Sequence, residues 1–188
     1  MPDVSLLWSP APYHILSYGT LLGSSLYQSF INGVISYRAL PRAQFATLQS
    51  ALLPIYFGLQ TALPALLALT YPSLKPISPL GGKIKSNGIS GVLEPQNRLT
   101  VLLPLTTMFL LNALNWIYIG PATTRIMKER KHQETRDGKK YFDKGPQSKE
   151  MERLNRMFGR MHGASAVTNL VSLGIAVWYG VLMAERVQ

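Results

Sequence analysis

Four long stretches of this sequence contain no charged side chain, and this feature constrains the fold more than any other. Lys, Arg, Asp and Glu are absent from residues 4–37, 43–74, 99–120 and 163–184. At about 1.5 Å per residue, about 20 residues of helix cross a hydrocarbon core of about 30 Å. The sequence therefore predicts an all-α membrane protein, a single domain over residues 1–188 with four transmembrane helices in a bundle. The predicted spans are residues 13–36, 48–71, 99–120 and 163–184.

The alternative to membrane spans is a soluble bundle with hydrophobic core helices. The hydrophobic share of 47% is ordinary for a globular protein and does not separate the two. Buried helices of soluble proteins are seldom so long and so free of charge, which favours the membrane. Pro54, Pro64 and Pro104 lie inside predicted spans, where lipid tolerates them, so we expect kinks instead of breaks. We also expect the first span to be a permanent anchor, because no basic segment precedes it.

The charges outside the spans predict an orientation. With four spans, the connections 37–47 and 121–162 share one side and carry 14 of the 19 Lys and Arg residues. The termini and the connection 72–98 share the other side. The positive-inside rule places the loop 121–162 in the cytoplasm and both termini opposite. We expect an intracellular membrane, either endoplasmic reticulum or mitochondrial, with the plasma membrane still open. The net charge of +10 then comes from basic segments next to the membrane spans, and it does not indicate nucleic-acid binding.

The two polar loops differ in kind. Residues 72–98 are rich in Pro, Ser and Gly and are predicted to be irregular. Residues 121–162 are predicted to form helical cytoplasmic extensions, with a break near Asp137–Gly138 and near Gly145, that run straight into the fourth span. The basic face of this region either lies against anionic lipid headgroups or stays solvated, and the sequence does not choose between the two.

Polar but uncharged side chains recur along one face of each predicted span. Because such groups are costly in hydrocarbon, we expect them to form a polar seam inside the bundle. Either the seam only joins helices by hydrogen bonds, or it is a cleft that receives a solute or a lipid headgroup. On the other side of the first span, Gly19 and Gly23 form a small-xxx-small pair that allows close approach of another helix. The predicted seam residues are Gln28, Asn32, Gln60, Asn112 and Ser165, with His14, Ser25, Asn169 and Ser172 on the same faces.

Little in the sequence points to chemistry. The spans lack the buried charge that ion-coupled transporters usually need. There is no cysteine, and the histidines do not have metal-ligand spacing. His14 and His162 are expected near opposite ends of their spans. No phosphate loop, nucleophile elbow or carboxylate pair is found. We therefore expect neither a cofactor, nor a bound metal, nor an enzymatic activity.

Three stretches resemble a known family when taken in order. They are LPRAQF with QSALLPIYF at residues 40–45 and 49–57, then Asn115 with GPATTRIM at 120–127, then Phe158 with HGAS and NL up to residue 170. Their spacing is similar to that of the transmembrane protein 205-like family, a four-span group with a domain of unknown function. The resemblance covers about residues 13–184 and implies a membrane protein without established enzymatic activity, substrate or cofactor. The loop 72–98 is longer than that family usually carries.

Six polar residues are expected together at the cytoplasmic end of the spans. As a hypothesis, this interfacial cluster binds an anionic headgroup or a partner's carboxylate; alternatively, it only holds the geometry of the bundle. The cluster consists of Arg42, Asn115, Thr124, Arg125, His162 and Asn169.

Two functions remain for a chain of this kind. The first is a noncatalytic subunit or accessory factor of a membrane assembly, in contact with other membrane proteins or with copies of itself. The second is a small-solute or lipid transporter, or export factor, that uses the polar seam. A membrane-bound enzyme is a distant third.

Overall fold

The computed structural model describes residues 7–72 and 88–184, and every regular element in these ranges is helical. This confirms the predicted all-α fold. The α-helices are α1 (Pro10–Leu26), α2 (Gly33–Ala39), α3 (Arg42–Leu69), α4 (Gly88–Leu93), α5 (Leu103–Leu114), α6 (Gly120–Asp137) and α7 (Lys149–Ala184).

Three π-helical segments extend these helices into longer runs. Tyr27–Asn32 joins α1 to α2, Arg98–Leu102 leads into α5, and Asn115–Ile119 joins α5 to α6. The second of these segments lies directly before Pro104. A proline ring clashes with the carbonyl four residues earlier, and the wider π turn removes that clash. The chain therefore stays helical there, as it does through Pro54 and Pro64 within α3.

Three helical runs of the described chain are long and apolar enough to cross a membrane. They are Arg42–Leu69, Pro95–Asp137 and Lys149–Ala184. The last two contain the predicted spans at 99–120 and 163–184, and the first covers the predicted span at 48–71 except for its last two residues. The predicted span at 13–36 is also helical, but its tyrosine, serine and amide side chains make it more polar than the other three. Its crossing of the membrane stays a prediction.

The predicted loop 72–98 is only partly described. Residues 73–87 lie outside the described residues. From Gly88 onward the chain is helical, first in α4 and then in a 3₁₀ turn at Pro95–Asn97. The buried Asn97 donates from Nδ2 to the Gly91 carbonyl at 2.8 Å and ties these two pieces together. The prediction of an irregular loop is therefore wrong for this last part.

The helix α1 packs against α3 and α7, and α5 packs against the same two helices. Ten of their buried apolar side chains form one cluster. It lies in the half of the helix group that is farther from the loop 121–162. We call this half the far half and the other half the loop-side half. The cluster consists of Leu21, Leu63, Leu67, Tyr71, Val92, Val101, Leu105, Met108, Ala176 and Tyr179.

The loop 121–162 is a helical hairpin, as predicted. The helix α6 ends at Asp137 and is capped by Gly138. The φ angle of Gly138 is 60°, in the left-handed region that glycine adopts easily. The helix α7 then runs without a break from Lys149 to Ala184. The Arg130 guanidinium lies 3.8 Å from the Tyr141 ring centroid and 4.6 Å from that of Phe158. Burial lowers the pKa of Arg130, while Tyr141 and Glu134 raise it.

Candidate functional site: a polar seam in the loop-side half

A hydrogen-bonded network crosses the loop-side half and links α1, α3 and α7. The Tyr56 hydroxyl of α3 donates to Asn169 Oδ1 of α7 at 2.7 Å. Asn169 Nδ2 donates to Ser29 Oγ, in the π segment after α1, at 2.8 Å. Ser25 of α1 lies 3.4 Å from the Tyr56 hydroxyl, oxygen to oxygen. One tyrosine thus contacts two other helices, because α3 and α7 face each other across the middle of the helix group.

Gln60 lies one turn further along α3 and is 1% exposed. Its Oε1 accepts from Ser25 Oγ at 3.0 Å, and its Nε2 donates to Ser24 Oγ at 2.7 Å. The amide therefore has partners on both its oxygen and its nitrogen. A buried amide satisfied in this way fixes the position of α3 against α1.

A second set of contacts joins α5 and its π segment to α7. Asn112 Nδ2 donates to Ser172 Oγ at 2.8 Å, and Asn115 Nδ2 donates to Thr168 Oγ1 at 2.7 Å. The two asparagines are 1% and 0% exposed. Their Oδ1 atoms are buried without a hydrogen-bond donor. The seam therefore retains two open acceptors next to α7.

A third set forms a ladder from α2 through the π segment Tyr27–Asn32 to α3, and it ends at a buried donor. Ser36 donates to Asn32 Oδ1 at 3.1 Å, and Asn32 Nδ2 donates to Gln28 Oε1 at 2.9 Å. Gln28 Nε2 then donates to Gln49 Oε1 at 3.4 Å. Gln49 is 8% exposed, and its Nε2 has no acceptor.

Four of the five predicted seam residues take part in these three sets: Gln28, Asn32, Gln60 and Asn112. Ser165 differs, because only its backbone carbonyl is used, as an acceptor for Thr168 Oγ1 at 3.0 Å. Sequence reasoning missed Tyr56, Gln49 and Thr168. Gln49 and Tyr56 are seven residues apart, close to two helical turns, and this spacing places them on one face of α3.

The residues of the predicted interfacial cluster have separate partners, and the binding role of the cluster stays a prediction. In the described part of the chain, no hydrogen bond or ion pair joins any two of its six residues. Asn115 and Asn169 belong to different sets of the seam. Arg125 pairs with Glu129 at 3.0 Å and has a side chain that is 83% exposed. Arg42 lies over the Tyr37 ring at 3.6 Å, at the start of α3. Thr124 is half-buried in α6.

The histidines have separate partners, in agreement with the expectation that His14 and His162 do not meet. His14 is buried in the far half, where Nε2 lies 3.0 Å from the Tyr179 hydroxyl and Nδ1 lies 3.3 Å from Thr70 Oγ1. His162 is exposed and stacks on Phe158, with ring centroids 5.6 Å apart. Among the described residues, no group of three or more His, Asp or Glu side chains is arranged to hold a metal ion.

Two surface cavities lie outside the seam. One, of about 360 Å³, lies in the helical hairpin between His132, Arg136 and Glu150. The other, of about 350 Å³, is lined by Arg98, Thr106 and leucines between them. Neither cavity contains a seam residue.

The chain is similar over most of its length to a protein of Aspergillus fumigatus, "Xanthocillin biosynthesis cluster protein D". The two are 32% identical over 174 residues, which are 93% of this chain and 88% of that protein. No solved structure is significantly similar to the chain. The narrower resemblance to the transmembrane protein 205-like family stays an expectation. The family model of the domain of unknown function DUF4149 matches residues 16–132, and the chain belongs to this family.

Proposed function

We propose that this chain is a noncatalytic membrane protein with four spans that acts as a subunit or accessory factor of a membrane assembly. In this proposal α1 is the first span, the hairpin of α6 and α7 faces the cytoplasm, and the membrane is an intracellular one. The observation that carries the proposal is the outward position of the glycine pair on α1. An added Cβ at Gly19 or Gly23 would meet no other atom within 4 Å.

A small-xxx-small pair allows close helix contact, but no described helix of this chain uses this one. The surrounding side chains are apolar and exposed: Ile15 is 64% exposed and Leu16 is 66% exposed. This face of α1 is therefore suited to a helix from another chain. Either a different membrane protein or a second copy of this chain would supply that helix.

The seam supports the same proposal. Its side chains are mostly bonded to one another across helices, which is how polar groups join helices in lipid. The name of the Aspergillus fumigatus relative assigns that protein to a biosynthesis cluster without naming a reaction. An accessory role in a membrane-associated biosynthetic system fits both observations.

The proposal is tested with isoleucine at both glycines, Gly19→Ile with Gly23→Ile. The bulky side chains would block close approach of a partner helix without disturbing contacts inside the chain. Two differently tagged copies, and the proteins that co-purify with them, are then compared between variant and parent in mild detergent. We expect association to be lost while the chain stays folded.

A matched control is available on α7. Gly159 and Gly163 have the same spacing, and an added Cβ at either meets nothing within 4 Å. Gly159 lies before the predicted span at 163–184, so this pair is not placed for a helix contact within the membrane, and Gly159→Ile with Gly163→Ile should leave the association unchanged. Equal loss in both double variants, or no loss in either, would refute a specific helix contact at Gly19 and Gly23.

The alternative, a transporter or export factor, is favoured by the open acceptors Asn112 Oδ1 and Asn115 Oδ1. A transport path must admit water or solute to these atoms. Because the chain has no cysteine, Asn115→Cys gives a single thiol for labelling with a membrane-impermeant maleimide. Rapid labelling in sealed vesicles would support transport. An unreactive thiol, as the complete burial of Asn115 predicts, would support the accessory role.

A further inference from the structure

Two side-chain nitrogens without acceptors lie where α2 contacts the beginning of α3, a region that we call the groove. The first is Gln49 Nε2, at the end of the ladder from Ser36. Each group of the ladder donates toward Gln49, so that neighbouring hydrogen bonds polarise one another in one direction. In this direction of the ladder the Gln49 oxygen accepts from Gln28, and the Gln49 nitrogen is the last donor of the ladder.

The second donor is Arg42, the first residue of α3. Its guanidinium carbon lies 3.6 Å from the Tyr37 ring centroid, and Tyr37 in turn makes an edge contact with Phe45 at 5.4 Å. This aromatic pair holds the arginine at the mouth of the groove, with Nη1 buried and without an acceptor. Arg42 as a whole is half-buried and rests on the Tyr37 ring, but its buried Nη1 lacks an acceptor, so an acceptor is expected there.

The surroundings of Arg42 favour an anion. The preceding Pro41 gives no side-chain cap, and the first turn of α3 holds no acidic residue. The start of this 28-residue helix therefore adds open backbone N–H groups and the positive end of a helix dipole. From residue 4 to residue 93 the sequence contains no Asp or Glu that could neutralise Arg42 locally.

The spacing of the two donors fits the membrane interface. Arg42 and Gln49 are seven residues apart on one face of α3, which is about 10 Å along the helix. The predicted span starts at residue 48, which places Gln49 at the border of the hydrocarbon core and Arg42 in the headgroup layer. A suitable ligand therefore has an anionic group outside and a neutral acceptor deeper in.

We propose that this groove binds one anionic glycerophospholipid, with its phosphate at Arg42 and an ester carbonyl at Gln49 Nε2. Exposed apolar side chains of the same helices, such as Ile35 at 59% and Ile55 at 75%, offer surfaces for the acyl chains. The site goes beyond the accessory role and does not depend on it. Arg125, the other arginine of the predicted cluster, has its own carboxylate in Glu129 and is not part of the site.

The test is lipid retention by the full chain, purified in mild detergent with equal amounts of phosphatidylglycerol and phosphatidylcholine and analysed by native mass spectrometry. The parent should retain one phosphatidylglycerol in preference to phosphatidylcholine. Arg42→Gln should lower this preference about tenfold, because a charge-assisted hydrogen bond is lost. Gln49→Leu, which keeps every charge, should lower it several-fold.

Arg38→Gln is the matched control, because Arg38 has the same charge on the same side but is exposed at the end of α2. It should leave the preference unchanged. An equal effect of Arg38→Gln and Arg42→Gln would overturn the site in favour of a diffuse charge effect. If inorganic phosphate alone displaced the lipid, the ligand would be a free anion and the proposal of a lipid ligand would be overturned. The proposed site would also be overturned if neither Arg42→Gln nor Gln49→Leu changed the retention of phosphatidylglycerol.

Discussion

The far half and the loop-side half of the helix group are held together in different ways. The far half contains the whole apolar core cluster, with Leu21, Leu67 and Met108 fully buried. In the loop-side half, no residue of Tyr27–Ala39 is buried, and α7 has no buried residue between Leu154 and Ser172. There the helices are joined mainly by the amides and hydroxyls of the seam.

This difference shows how each half obtains its specificity. In lipid, burying apolar side chains gives no hydrophobic gain, so helices associate through close packing and hydrogen bonds. The far half uses close packing of its apolar cluster, with the buried His14 bonded to Tyr179 and Thr70 beside it. The loop-side half uses fewer contacts, each with a defined direction, and leaves several polar atoms open. The proposed lipid site lies in this half.

The largest expected effect comes from Gly180→Ala in the far half. An added Cβ at Gly180 would overlap the Tyr18 hydroxyl, which donates to the Ala176 carbonyl at 3.2 Å. We expect a loss of about 1–3 kcal/mol in the free energy of unfolding, as for other overpacked cores. Unfolding of the purified chain by SDS titration measures it. Gly174→Ala, where the new Cβ meets nothing within 4 Å, is the control. Equal stability of the two variants would show that α1 and α7 are not closely packed.

A smaller effect is expected from Tyr56→Phe in the seam. The change removes the hydroxyl that donates to Asn169 and leaves the ring in place. Interhelical hydrogen bonds in lipid contribute about 0.6 kcal/mol on average and at most about 1.7 kcal/mol. The same SDS titration applies, with Tyr118→Phe as the control because Tyr118 is 65% exposed. A loss larger than that of Gly180→Ala would reverse the ranking of the two halves.

The smallest effect is expected from Ser36→Ala at the outer end of the ladder. Ser36 is half-buried and makes one hydrogen bond, to Asn32 at 3.1 Å. We expect a loss of less than about 0.6 kcal/mol in the same measurement. A loss as large as that of Tyr56→Phe would indicate that the ladder from Ser36 to Gln49 acts as one cooperative unit.

Much of the fold follows from local patterns. The charge-free stretches predict the long helices, and Asp137–Gly138 predicts the end of α6. The faces of the polar residues predict Gln60 and Asn112 as buried. The hydrogen-bond partners between helices could not be predicted from local patterns. Nothing along the chain indicates that Tyr56 bonds to Asn169, which is 113 residues away. The contacts of the interfacial cluster were beyond prediction for the same reason, since a shared depth along the spans does not show which side chains contact one another.

The sequence by itself determined that this chain forms long apolar helices with polar faces and a basic hairpin on one side. These features depend on composition and on periods of about 3.6 residues, which are local properties. The tertiary structure decided which polar atoms are satisfied and which remain open, above all Gln49 Nε2 and Arg42 Nη1. It also decided that Gly180 packs tightly while Gly19 and Gly23 face outward. The physical reason is that hydrogen bonds and close contacts between helices depend on how each helix is rotated against its neighbours, and this rotation is set by the contacts of all the helices together.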